Sequence, residues 1–232
     1  MQVSPRFSPS VFASALTLAL GFVAHTGAQA VALTEPVATP FADTALSGTT
    51  VAARPELAGT VLEDVITSFS FSGVTGTVQN RVVRESGTGT LDFSWKINVD
   101  PGSASAGVSA FRLIDFGYDN IKDADWRIDG LGSVAPTTGR LFNEASQPSG
   151  AINFLFDGVV TAGSASRFFF LRTDSTSYTQ SARYDLLTGG DQALSGSFST
   201  FAPTPVPEAG SYVMAAAGLA LMGVMLRRRR PQ

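Results

Sequence analysis

Leu91, Phe93, Trp95, Ile97 and Val99 alternate with Asp92, Ser94, Lys96 and Asn98. Strict period two over nine residues is a strand with one buried and one wet face, because successive side chains point to opposite sides of a pleated backbone. This reading puts Trp95 in the core and Asp92 in water. Asp100-Pro101-Gly102 closes the strand as a turn. No stretch between residues 57 and 201 shows a sustained apolar period of three to four, so the region is not built from amphipathic helices.

Further apolar runs follow at intervals: Ser109–Phe116, Ile152–Phe156, Arg167–Arg172, Tyr184–Leu187 and Leu194–Phe201, after a β-like start from Val61 through Phe69 and Phe71. The first of these shifts phase between Leu113 and Ile114, the mark of a bulge or a strand end. Phe168-Phe169-Phe170-Leu171 is apolar on both phases, as expected of a strand covered on both sides or of an edge under a loop. Ser72-Gly73, Ser86-Gly87, Thr137-Thr138-Gly139, Asp157-Gly158 and Gly189-Gly190-Asp191 read as turns. Short strands with Gly/Ser/Pro turns give an all-β fold, an antiparallel β-sandwich or jelly-roll-like ectodomain over 57–201. Residues 31–56 are poor in bulky apolar side chains and read as a poorly ordered lead-in with at most one short strand.

Both ends carry addressing signals. Arg6 precedes an apolar run from Val11 to Ala24, and Ala28-Gln29-Ala30 places small residues where a signal peptidase reads; residues 1–30 are the expected signal peptide, with cleavage after Ala30. At the other end, 202–208 is a proline-rich spacer, extended because alternating prolines cannot donate ladder hydrogen bonds. Ala209–Leu226 is uncharged and mostly apolar, and as a helix it is roughly 27 Å long, enough for one transmembrane span. Arg227, Arg228, Arg229 and Arg230 begin a basic tail, 227–232, that stops transfer and stays cytoplasmic. The expected topology exports residues 31 to about 206, anchored at the inner membrane by the C-terminal helix.

The tail, with Val206, Pro207 and Glu208, the Gly218–Gly223 stretch and the four arginines, resembles the PEP-CTERM sorting signal of Gram-negative bacteria; Ala209 stands where the family has its second proline. The resemblance implies processing by an exosortase-type membrane protease or transpeptidase, transfer to the cell surface or medium, and a link to exopolysaccharide and biofilm. A plain, unprocessed anchor is the competing reading of the tail. Gly89–Phe93 and Phe170–Ser175 resemble segments of the β-rich ectodomains found in front of such tails, which implies fold class and no activity.

Composition removes much of enzyme chemistry. His25 is the single histidine and lies in the expected signal peptide, and there is no cysteine. No Ser-His-Asp or Cys-His nucleophile system is available, and no His/Cys metal set. No cofactor is expected. Without disulfides, an exported domain of roughly 150–175 residues is held by its core alone. Five of the sixteen basic side chains lie in the signal peptide and tail, so acids outnumber bases in the domain, which argues against nucleic acid as a partner.

The reading for the domain is a non-catalytic surface or matrix component. Two alternatives stand beside it. Trp126, in a polar, turn-rich context, is the candidate for stacking on a sugar in a glycan-binding module. A glycoside hydrolase needs only two carboxylates, and Asp92, Asp115 and Asp174 lie on or next to expected strands. Asp119, Asp123, Asp125 and Asp129 form the densest acidic stretch and are the calcium candidates, although Arg127 interrupts them and no Glu closes a twelve-residue loop. The bland reading of that stretch is a solvated loop.

Overall fold

The computed structural model describes residues 31–117, 121–143 and 151–204. They form two antiparallel sheets. One has six strands: β1 (Phe41–Ala45), β7 (Thr138–Phe142), β8 (Ala151–Val160), β5 (Val108–Ile114), β10 (Tyr178–Thr188) and β11 (Phe198–Pro203), in that spatial order. The other has five: β2 (Gly59–Phe71), β3 (Val74–Glu85), β4 (Leu91–Val99), β9 (Phe169–Thr173) and β6 (Ile121–Trp126). After the β2–β3–β4 meander the chain passes from sheet to sheet, so each sheet is assembled from distant pieces of sequence. The all-β, two-sheet class is the one the alternation predicts. The expected transmembrane helix lies outside the described residues, and among those residues no helix is long and apolar enough to cross a membrane.

The core lies between the sheets. Trp95 is buried against Phe111, Phe154 and Phe169. Its indole Nε1 donates to Thr200 Oγ1 (2.9 Å), which donates to Asn80 Oδ1 (3.0 Å). This polar thread ties β4 and β3 of one sheet to β11 of the other, and it satisfies groups whose burial is costly when unpaired. All five odd positions of β4 are buried, as the period requires. β9 is covered on both faces, with Phe169, Phe170 and Leu171 all buried, and it lies between β4 and β6. β5 ends where its phase shifts, and Asp115 beyond it takes a left-handed φ of 61°.

Several expectations are corrected. Asp92 is not on a wet face: it is 4 % exposed. Thr138-Gly139 and Asp157-Gly158 are not turns but lie inside β7 and β8. β3 is legible only weakly, because its inward positions include Gly76 and Asn80 among Val74, Val78 and Val82. The Ser72-Gly73 turn before it is real, with φ of 46° and 76°, the left-handed pair that suits a two-residue hairpin. Residues 31–56 contribute β1, which pairs with β7, and a covering segment with buried Thr49 and Arg54.

Candidate functional site

Strand register fixes what meets on the outer face of the five-stranded sheet. Asp64, Arg81, Ser94, Phe170 and Asp125 stand opposite one another across five strands. The adjacent row is Val83, Asp92, Arg172 and Asp123. This face is not open to water along its whole length. Residues 46–57 cross it as a strap that ends in a single 3-10 turn, Pro55–Leu57. Gly48 N–H donates to Asp125 Oδ1 (2.7 Å), Val51 N–H to Asp129 Oδ2 (2.8 Å), and Arg54 Nη2 to Asp123 Oδ2 (3.0 Å).

Beneath the strap lies a buried charge cluster. Arg172 donates through Nε and Nη2 to Glu85 Oε1 (2.7 and 2.5 Å) and through Nη1 to Asp123 Oδ2 (3.0 Å). Arg54 adds Glu56 through its Nε (3.0 Å). Asp92 Oδ1 is 3.7 Å from Arg172 Nε but has no hydrogen-bond partner. Burial first, then the charge of Glu85 and a hydrogen bond to it, push the Asp92 carboxyl up to about 8. Burial also works against the charge on Glu85, yet the Thr88 hydroxyl and Arg172 outweigh it and hold that carboxyl below its usual range. The surroundings thus favour the protonated form of Asp92 and the ionised form of Glu85. Burial likewise raises Asp125, to about 6, against the pull of two backbone N–H groups, those of Gly48 and Trp126.

Beside the cluster the sheet face opens into a groove of about 410 Å³, whose lining includes Arg81, Asp92, Ser94, Asp129, Phe168 and Phe170. Arg81 Nη2 is held by Asp64 (2.9 Å) while its guanidinium lies 4.7 Å from the Phe168 ring centre. Arg81 Nε is buried without a partner.

The structure scatters most of the sequence-predicted site. Asp123 is spent on two arginines, Asp125 on backbone N–H groups, and Asp129 on Val51 and Arg127; Asp119 lies outside the described residues. The stretch is not a solvated loop throughout, since Asp123 and Asp125 belong to β6 and are buried. Among the described residues no three His, Cys, Asp or Glu side chains are grouped to hold a metal ion. Trp126 is half-buried at the end of β6, with Gly48 against its ring and the Arg167 guanidinium 5.5 Å from it. Of the three candidate carboxylates only Asp92 reaches the groove. Asp115 pairs with Arg183 (2.6 Å) and Asp174 with Lys122 (2.5 Å). The sequence alone does not single out Arg54, Glu85, Phe168 or Arg172 as site residues. The one available signal was Arg172 itself, a charge within a run apolar on both phases, which demands buried counter-charges.

β11 ends at Pro203, and the Thr204 N–H still donates to Ser177 O (3.0 Å). The next residue begins a match to a family model, the PEP-CTERM protein-sorting motif, over residues 205–230. The chain carries a PEP-CTERM sorting motif. It contains Val206, Pro207, Glu208 and Arg227–Arg230, all outside the described residues, as are Ala28 and Ala30. The motif supports export, membrane anchoring before sorting, and processing by an exosortase-type membrane enzyme. No curated protein and no solved structure matches the chain.

Proposed function

We propose that this protein is a non-catalytic surface or matrix component: a disulfide-free β-domain exported behind a signal peptide, held at the inner membrane by residues 209–226, and released or transferred by an exosortase. The observation that carries this reading is the PEP-CTERM match at 205–230, directly behind a domain whose last strand ends at Pro203. Pro203, Pro205 and Pro207 alternate ahead of the span, a sequence pattern that favours the extended form a protease binds. Signal peptidase and the exosortase are the processing partners, and exopolysaccharide of the biofilm matrix is the setting. Nucleic acid is not a partner of so acidic a domain.

Mass spectrometry of the surface fraction tests the processing step. Mature chains lacking Arg227–Arg230 are expected in cells with an active exosortase, and intact chains in cells without it. Intact tails in both would leave a plain membrane anchor.

A further inference from the structure

Two side chains that line the groove on the outer face of the five-stranded sheet each bury one polar atom that makes no hydrogen bond within the protein. These atoms are Asp92 Oδ1 and Arg81 Nε, on neighbouring strands and in adjacent cross-strand rows. Asp92 is 4 % exposed and lines the groove. Folded domains pair nearly all such groups, and an unpaired one costs about 1–3 kcal/mol. Two in one groove, one of them a nitrogen donor and the other a carboxyl oxygen, match a ligand that both donates and accepts.

The remaining lining narrows the chemistry. Phe168 carries the Arg81 guanidinium over its ring, and Leu57 and Leu131 add apolar surface. Arg81 and Arg127 are already held by Asp64 and Asp129, so the groove lacks the free cation cradle that a phosphate needs. It lies on a sheet face, where backbone groups are spent on the ladder, so it offers an extended peptide no strand to join. It is too polar for an acyl chain. A pyranose ring has hydroxyls that donate and accept and an apolar C–H face, and it fits all of these features. We propose that this groove binds a saccharide, with Asp92 and Arg81 Nε engaging ring hydroxyls and the stacked Phe168–Arg81 pair and the two leucines supporting the apolar face. The proposal rests on the groove and stands whether or not the tail is processed.

Calorimetry on the full chain in detergent tests it, with laminarihexaose and cellohexaose as neutral probes and hexagalacturonate as the acidic one. At least one class is expected to bind, and the class that binds identifies the sugar. Asp92→Ala and Phe168→Ala should each weaken binding by about tenfold or more, and Arg140→Ala, on the other sheet, should leave it unchanged. Ser94→Trp fills the groove from a half-exposed position and should abolish binding while the near-UV signal of Trp95 persists. Three results would overturn the proposal: no binding of any probe up to about 5 mM, binding undiminished by Asp92→Ala, or binding that survives Ser94→Trp in a folded protein.

Discussion

Trp95 and Lys96 are neighbours in sequence with opposite energetic roles. Trp95→Ala removes a buried ring and the donor to Thr200, and a cost of about 3–5 kcal/mol is expected. That is a large share of a typical net stability of roughly 5–15 kcal/mol. Lys96→Ala loses only a half-exposed contact with Phe168, worth about 1 kcal/mol or less. Urea unfolding of the two variants beside the parent measures both, and equal small losses would mean that Trp95 is not in the core. Asp92 gives a pH signature. Folded, it holds its proton up to about pH 8; unfolded, only up to about pH 4. Between those values folding takes up a proton, so this residue makes stability fall as pH rises. Asp92→Asn removes the titration while keeping a donor toward Glu85. Its stability relative to the parent should grow with pH across that window, by at most about 1.4 kcal/mol per unit, and approach parity below it. Glu85, whose carboxyl is held down, has the opposite sign: its contribution is present above its unfolded pKa and lost as pH falls through its folded one. Parallel curves for the parent and Asp92→Asn would show that Asp92 is ionised in the folded protein.

At the scale of elements, the strap of residues 46–57 is the unexpected part. It carries few bulky apolar residues, so neither period appears in it, and its attachment is polar and long-range: Gly48, Val51 and Arg54 meet carboxylates on β6 and just beyond it. Gly48 has φ of 80°, and a Cβ there would fall 2.5 Å from the Trp126 ring. Gly48→Ala is therefore expected to cost about 1–3 kcal/mol. It should raise amide exchange across the strap before the sheets are affected, because the strap's backbone is tied to the sheets at separate points, among them Thr49 to Trp126 and Ile128 and Leu46 to Thr137, and not by a continuous ladder. Wild-type protection of Val51 and Arg54 amides in that variant would show that the strap is held elsewhere. The same contrast explains which strands were legible. β4 has an unbroken alternation, and its period alone predicts it. β6 reads as an acidic loop because what satisfies its outward aspartates is far away in sequence: Arg54 and Arg172 for Asp123, and the Gly48 N–H for Asp125. β7 begins with Thr138-Gly139, residues typical of turns, and is a strand because β1 and β8 flank it.

For the whole molecule, address and domain are separable. The sorting motif occupies the last part of the chain, while the described domain closes its own core with residues from both sheets. Replacing Arg227–Arg230 with neutral residues is expected to weaken the stop and yield mixed orientation. Protease added to intact spheroplasts should cut the domain of the parent chain, and complete protection of the parent would reverse the assigned topology. The sorting motif, the all-β class, the lack of cysteine and the inward face of β4 are properties of motif, composition and local period, so the sequence by itself determined them. The charge cluster and the groove are not local. Asp92 looks like any polar residue on a wet face until β9 brings Arg172 beside it, β3 brings Glu85, and the strap closes over that end of the sheet. Strand order, register and the covering of an outer face come from pairings between distant segments, and only the tertiary structure decided them.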